Sequence, residues 1–315
     1  MIYPVLNPTQ ALQNLQAKSY PFWDQYYAFF STWYGGIIKN PGPLLTVPFD
    51  DHVVHRGDGV FEALKTTDRK IYLLHQHLDR LIISAEKIGI PLPFAKPQMV
   101  DIILQTLKIA DQSDTVVRIF LTRGPGGFTA NPYESIASQF YVIITKLGLP
   151  NKEKYTDGIH IGKSKVPVKE GMMPQIKSCN YLPNVLMKKE AVDRNLEFTV
   201  NFDQDNKLAE SATENIIILD QDDVLTHPNL EKILKGTTMI RAFELAKRAG
   251  IKTNVRSISE NDLLTAKEVM MTGTTFTLLP VVSYESKVIG DGKVGNNAKA
   301  ILKMIEDDMK NGTPY

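Results

Sequence analysis

The sequence predicts an α+β fold in two domains, on the strength of three observations. The chain has 315 residues, more than one small module needs and a fitting length for two domains. Through its first half, strand patterns come first, then two helical patterns, then strands again. That is the order of an α+β unit rather than of alternating βαβ units. Residues 146–153, KLGLPNKE, then combine Gly148, Pro150 and flanking charge, the composition of a linker. The expected division is a small N-terminal domain over 1–147, a linker over 148–153 and a larger domain over 154–315.

Each element has a local reason. Residues 27–39, YAFFSTWYGGIIK, read as two strands around Gly35-Gly36, because glycine reaches the positive φ that tight turns need. After a break at 40–43, residues 44–48 read as a strand restarting. Residues 61–74 read as a second strand pair turning at Asp68-Arg69-Lys70. Leu74, Leu78, Leu81, Ile82 and Ala85 recur near a 3.6 period and predict a helix over 74–88. A second helix is expected over 97–110, with Pro97 tolerated in its first turn. Residues 115–122 and 140–145 are β-branched and apolar, as strands are. Beyond the linker, 159–161, 198–202, 215–219 and 267–271 read as strands. Residues 184–194, 236–249 and 297–309 read as helices, the middle one closed by Gly250. No internal repeat or low-complexity stretch appears.

Composition narrows the function. There are 36 Lys+Arg against 35 Asp+Glu, a formal net charge of +1, so bulk charge gives no drive toward nucleic acid or an anionic membrane. Hydrophobic residues at 43% and charged residues at 23% are ordinary for a soluble globular protein. The longest apolar runs, such as 216–219, are strand-sized, and no membrane span is expected. The first ten residues, MIYPVLNPTQ, lack a basic segment followed by an apolar one and do not read as a signal peptide. The single cysteine, Cys179, excludes an intrachain disulfide and a Cys-cluster metal site, and suits a reducing, cytoplasmic setting. His52/His55 and His75/His77 lack the i, i+4 spacing that sets two ligands over one ion, so no metal is expected.

Five places can carry chemistry. Leu234-Lys235-Gly236-Thr237-Thr238 precedes a helix, where backbone N–H groups and hydroxyls converge on an anion. Taken alone it is also an ordinary capped helix start. Thr272-Gly273-Thr274-Thr275 follows a strand and offers a second hydroxyl-rich turn, or simply a solvated one. Arg80, in HLDRL, is of the residue type that grips phosphate in a bidentate fashion, and equally of the type that pairs with a neighbouring acid. Glu210 closes KLAE; a lone glutamate is usually solvated. Lys177, in QIKSCNYL, becomes an amine nucleophile if an apolar setting lowers its pKa, although most lysines are solvated.

Together the motifs resemble a family. Arg56-Gly57-Asp58-Gly59-Val60-Phe61-Glu62, HLDRL around Arg80, IKSCNYLPNVL around Lys177, LAESATEN around Glu210, ILKGTTMIR around Gly236 and MTGTTFTLLPV around Thr274 stand in one order. That order resembles the fold-type IV pyridoxal-phosphate enzymes: D-amino-acid aminotransferases, branched-chain aminotransferases and aminodeoxychorismate lyases. DDHVVHRGDGVFE and KSCNYLPNVL resemble the D-amino-acid aminotransferase branch most.

The resemblance implies a small α+β domain, a larger cofactor-binding domain with a barrel-like β core, and pyridoxal 5′-phosphate between them. It implies that Lys177 tethers the cofactor covalently and shuttles the substrate proton. Glu210 pairs with the pyridine nitrogen, Arg80 grips the phosphate, and Gly236, Thr237 and Thr238 form the phosphate cup. Gly273 and Thr274 add phosphate contacts, and Leu234 packs on the ring. Tyr181 lies near Lys177, at a position that varies. Substrate contacts are expected from Arg56, Phe61, Arg118 and Thr275. The expected partners are an amino acid and a 2-oxo acid, exchanged in two half-reactions, and a second copy of the chain in a homodimer. Trp23, Phe29, Phe30 and Trp33 serve the core or that interface.

One departure bears on specificity. D-specific relatives carry Arg-x-His after the strand ending near Thr122. Here the loop reads Arg123-Gly124-Pro125-Gly126-Gly127-Phe128. Arg56, with Arg118 or Arg123, is the expected replacement for carboxylate binding, against the plainer reading of each as a structural ion pair. The expected reaction is transamination of an amino acid of D configuration with pyruvate or 2-oxoglutarate. The alternatives are branched-chain L-amino-acid transamination and 4-amino-4-deoxychorismate lysis.

Overall fold

The computed structural model describes residues 3–315. Met1 and Ile2, which open the segment read as lacking a signal peptide, lie outside the described residues. Two sheets organise the chain. The first has seven antiparallel strands in the order Thr313–Pro314, Lys70–Ile71, Gly59–Thr67, Thr115–Thr122, Gln139–Lys146, Tyr26–Ser31, Gly36–Lys39. Helices Leu74–Lys87 and Lys96–Ala110 cover one face. Side chains alternate along a strand, so Val60 and Leu64 of Gly59–Thr67 meet Leu74, Leu78 and Leu81 in a buried core. Phe61, Ala63 and Lys65 point the other way.

The second sheet is mixed. Its order is Lys252–Val255, Val224–His227, Asn215–Leu219, Glu268–Gly273, Thr277–Tyr284, Ile159–Lys163, Phe198–Phe202, Leu208–Ser211, with Lys287–Val288 beside Thr277–Tyr284. Its two ends approach each other. Leu208 N donates to Ile258 O at 2.7 Å, and Lys207 bridges Ser259, just past the opposite edge strand. The curl encloses Ile159, Ile216, Ile218, Met271 and Leu279. Ile217, Leu219, Met270 and Leu278 face outward, beneath helices Thr237–Arg248 and Asn296–Met309. Asn215–Leu219 is therefore buried on both faces, as its unbroken apolar run requires. The fold is α+β, with a nearly closed β core in the larger half.

One expected element is absent. Residues 44–48 are not a strand; a single 3₁₀ turn, Gly42–Leu44, leads into irregular chain. Pro41, Pro43 and Pro48 lack the N–H donors a ladder needs. Two longer elements are unexpected: the nine-residue helix Pro8–Gln16 and the eight-residue strand Thr277–Tyr284.

The two halves are fastened at the C-terminal helix. Asp308 accepts from the Tyr72 hydroxyl at 2.7 Å and from both arms of Arg241 at 2.7 and 2.6 Å. The Tyr315 hydroxyl donates to Gln112 O at 2.7 Å, beside the pairing of Thr313 with Ile71. Asp308→Ala leaves the part-buried Tyr72 hydroxyl without its acceptor and the Arg241 guanidinium with Glu244 alone. Thermal unfolding should show a loss of about 2 kcal/mol. A midpoint equal to that of the unaltered protein would disprove the fastening role.

Candidate active site

Lys177 is placed by main-chain pairing. The strand Gly59–Thr67 is paired by Lys70–Ile71 only at its far end, which leaves one edge open at Gly59–Phe61. Residues 177–179 fill that edge: Phe61 N donates to Lys177 O at 2.9 Å and Cys179 N to Gly59 O at 2.8 Å. This register sets Lys177 beside Phe61, with Nζ 4.7 Å from the ring centroid. Burial, with the nearby Arg80 guanidinium, lowers the Lys177 amine to about 8, against the pull of Glu62 and Glu210. Roughly a tenth of the amine is therefore uncharged at pH 7, against well under a thousandth for an ordinary lysine, and the neutral form is the nucleophile. Burial pushes the Cys179 thiol up to about 12, so it is inert.

Glu210 lies on the edge strand Leu208–Ser211 and lines one cavity with Lys177, Tyr181, Asn184, Ser211 and Leu234. Burial raises its pKa; the Leu234 amide, 3.0 Å from Oε2, and the amines of Lys169 and Lys177 oppose that rise. The Leu234 amide thus points one carboxylate oxygen and leaves the other available. Tyr181 stands edge-on to Phe61 with ring centroids 5.1 Å apart, and burial raises its phenol.

Behind the amine lies a buried clamp. Glu62 has no exposed surface; Arg80 grips it through Nε and an Nη at 2.7 Å each, and His77 Nδ1 is 2.7 Å away. Burial opposes the Glu62 charge, but Arg80 and His77 outweigh it and hold the carboxyl at about 2. Arg80 donates its other Nη to Lys235 O at 3.0 Å, and His77 Nε2 lies 3.0 Å from the Thr237 hydroxyl. The clamp therefore reaches from the first sheet to the loop and helix start at 235–237.

That helix start is a cradle. Asn215 Nδ2 holds Leu234 O at 2.9 Å, and a Cβ on Gly236 would sit 1.8 Å from Asn215 Oδ1. Only glycine lets the chain pass, and it leads into Thr237–Arg248, whose first amides are free to bind an anion. The turn after Gly273 carries Thr274 and Thr275 near Glu214, a further residue of the cavity. Among the described residues, the hydroxyls of Thr238, Thr274 and Thr275 make no hydrogen bond to another residue.

Comparison with known proteins agrees with this geometry. The family model for amino-transferase class IV matches residues 59–284. A chloroplastic D-amino-acid transaminase of Arabidopsis thaliana is 32% identical over 92% of this chain and 78% of its own. The chain belongs to the class IV aminotransferases. A putative branched-chain-amino-acid aminotransferase of Methanocaldococcus jannaschii is 31% identical over 82% of this aminotransferase and 89% of its own length. A T.th. branched-chain amino acid aminotransferase solved with pyridoxamine 5′-phosphate superposes with a TM-score of 0.85 at 22% identity, covering 91% of this chain and 95% of that one.

Class IV aminotransferases use pyridoxal 5′-phosphate, and the side chains gathered here have the chemistry to hold it: a buried amine, an oriented carboxylate and a helix start. Lys177 could take the aldehyde, Glu210 the ring nitrogen, and the 236–238 helix start the phosphate beside Arg80. Asn184 Oδ1 and Ser211 Oγ, buried without partners, line the same cavity and are available to ring substituents.

The arginines of the aminotransferase separate cleanly. Arg123 grips Asp58 at 2.5 and 3.1 Å and donates to Ile88 O and Gly89 O, so as a carboxylate clamp it is ruled out. Arg56 ends a short helix and donates only to His55 O and Phe128 O, at 3.0 and 2.6 Å. Arg118 is exposed on the same sheet face as Phe61, whose ring stacks on Phe120 at 5.9 Å, and has no acidic partner among the described residues. Glu62 and His77 carried no role in the sequence reading. The signal was there: Glu62 shares the strand parity of Val60 and Leu64, and His77 and Arg80 share one helical face.

Two outcomes test this site. Lys177→Met in the cofactor-free protein should raise stability by on the order of 2 kcal/mol, because it removes a charge that burial disfavours. The folded amine titrates near 8 and the unfolded one near 10.5. The gain is thus largest below pH 8 and shrinks as pH rises toward 10.5. A pH-independent difference refutes the buried amine. Gly236→Ala should displace Asn215 and weaken pyridoxal 5′-phosphate binding at least tenfold in equilibrium dialysis, corresponding to roughly 1.4 kcal/mol.

Proposed function

We propose that this aminotransferase moves an amino group between an amino acid of D configuration and a 2-oxo acid such as pyruvate or 2-oxoglutarate, working as a cytoplasmic homodimer. The carrying observation is the buried Lys177 amine, lowered to about 8 and facing the oriented Glu210 carboxylate across one cavity. When bound, the cofactor supplies the electron sink for the substrate Cα–H bond. The chain supplies the rest. Lys177 takes and returns the Cα proton, because its neutral amine is a base at working pH. Glu210 holds positive charge at the ring nitrogen. The 236–238 amides and Arg80 fix the cofactor, and Phe61 and Tyr181 keep water from the reacting carbon. Arg56 or Arg118 binds the substrate carboxylate; each has donors free of any acid. Thr275 follows Gly273, which stands against Glu214 of the same cavity.

The D configuration is supported by the Arabidopsis D-amino-acid transaminase and by a D-alanine aminotransferase of Bacillus licheniformis, 26% identical over 85% of this chain. A branched-chain L reading has its own support in the Methanocaldococcus relative and in the exposed Arg118 on the Phe61 face. The homodimer is supported by helix Leu182–Asp193, which exposes Leu182, Val185 and Leu186 on one face, at i, i+3, i+4, next to the cavity.

A substrate panel decides. The purified holoenzyme should turn over D-alanine with 2-oxoglutarate, and Lys177→Ala should lower that rate by roughly 10²–10⁴-fold. Arg56→Ala or Arg118→Ala should raise KM for the 2-oxo acid about tenfold with kcat less affected. Turnover confined to L-leucine or L-isoleucine replaces the D reading with the branched-chain one. Pyruvate release from aminodeoxychorismate without an acceptor replaces both.

A further inference from the structure

His77 has a defined protonation pattern. Glu62 is ionised, and a carboxylate only accepts, so His77 Nδ1 carries a proton and donates it across 2.7 Å. Burial holds His77 below the usual imidazole range, against the pull of Glu62, so the ring is neutral and Nε2 is bare. Thr237 Oγ1, 3.0 Å away, must therefore donate its single proton to Nε2. What Thr237 then presents to the helix start is lone pairs, which repel phosphate oxygens.

If the Thr237 hydroxyl turned away, a fully buried nitrogen would be left without a partner, which is costly. Protonation avoids this. An imidazolium donates from both nitrogens, Nδ1–H to Glu62 and Nε2–H to Thr237 Oγ1, and releases the hydroxyl proton to point outward. The charged groups around His77 are Glu62 on the facing strand, Arg80 on its own helix and Lys177 on the paired segment. Glu62 and Arg80 oppose each other, and Lys177 resists a second cation. An arriving phosphate dianion shifts that balance toward the imidazolium.

We propose that His77 is a positioning residue that couples occupation of the 236–238 helix start by a phosphate monoester to uptake of one proton from solvent. The proton goes to His77 Nε2; the Thr237 hydroxyl reverses and donates to a phosphate oxygen. The one bond formed is Nε2–H, its proton given up by a solvent acid; no bond between heavy atoms changes. The coupling rests on the reading of this helix start as the cofactor's phosphate cup, and gives Glu62 the second task of stabilising the imidazolium.

The test is calorimetric titration of the cofactor-free protein with pyridoxine 5′-phosphate, which has no aldehyde to react with Lys177, and separately with inorganic phosphate. Run near pH 8, where the phosphates are dianions, in two buffers of different ionisation heat, it reads protons taken up per site. The unaltered protein should take up about one more proton than His77→Asn, which keeps a donor and an acceptor but does not titrate. Equal uptake overturns the coupling while leaving the phosphate cup intact; absence of binding by the unaltered protein overturns the cup itself, and the coupling with it. Because the variant removes a buried partner, a second measurement uses the unaltered chain. In ¹⁵N spectra of its six histidines, saturation with inorganic phosphate should move one Nε2 from bare acceptor to protonated donor while its Nδ1 stays protonated. An unmoved Nε2 sinks the inference without recourse to any variant.

Discussion

The site depends on a carboxylate that never meets water. Glu62 is fully buried, yet Arg80 and His77 keep it charged. A buried ion pair of this kind contributes little net stability, because removing the ions from water offsets most of their attraction. Its effect here is geometric. A buried charge cannot be left unpaired, so the helix Leu74–Lys87 has one rotation and one register against the strand Gly59–Thr67. From that register Arg80 reaches Lys235 and His77 reaches Thr237. The helix start packed on the second sheet is thereby indexed to a strand of the first.

The same strand indexes the other end of the site. Lys177 pairs with Phe61 and Cys179 with Gly59 on the open edge, while Glu62 projects to the opposite face. Successive strand residues lie about 3.3 Å apart and alternate sides. Phe61 therefore faces the amine, and Glu62 anchors the groups around the helix start. A one-residue slip would exchange the two faces and destroy both ends at once. The electrostatics follow the same frame. Lys177 is buried near Arg80, and both effects favour the neutral amine. Glu210 lies across the cavity; burial raises its pKa, and the Leu234 amide and the charges of Lys169 and Lys177 oppose that rise. Burial thus moves both titrating groups toward their neutral forms, and fixed neighbours set how far each goes.

Much of this was legible in the residues, and the illegible parts have physical reasons. Helix 74–87 was readable to within a residue because one face is buried and the other is not, which prints a period on the sequence, and strand 115–122 because its β-branched and apolar run is short and sharply bounded. Thr277–Tyr284 was not, because burial on both faces erases the alternation and Pro280 argues against a central strand. That proline stands one residue before the pairing of Val281 with Ile159 begins, so its missing N–H leaves that ladder intact. At the site, Lys177, Glu210, Arg80 and Gly236 were visible through the family's motif order. The Glu62–His77–Thr237 chain was not, since no spacing rule links a strand carboxylate to a helix 160 positions beyond His77. Arg123 read as a carboxylate clamp because its partner Asp58 lies 65 positions away.

The two ends of the site are constrained unequally, and that bears on how specificity can change. At the phosphate end, Arg80, Glu62, His77, Asn215 and Gly236 are each held by a partner or by lack of room. A substitution there disturbs several contacts at once, and the chemistry with them. At the substrate end, Arg118 is exposed without an acid, Arg56 leans on two carbonyls, and Phe128 is 60% exposed. Groups held this loosely can be exchanged without unpairing a buried charge. Donor choice in this fold is therefore open to variation in the loops 123–137 and 50–57, while the amine, its opposing carboxylate and the clamp behind them stay fixed. Under the proposed function, the loop that reads Arg123-Gly124-Pro125 where D-specific relatives are expected to carry Arg-x-His is the kind of change this division permits: a different grip on the substrate beside an unaltered amine and carboxylate.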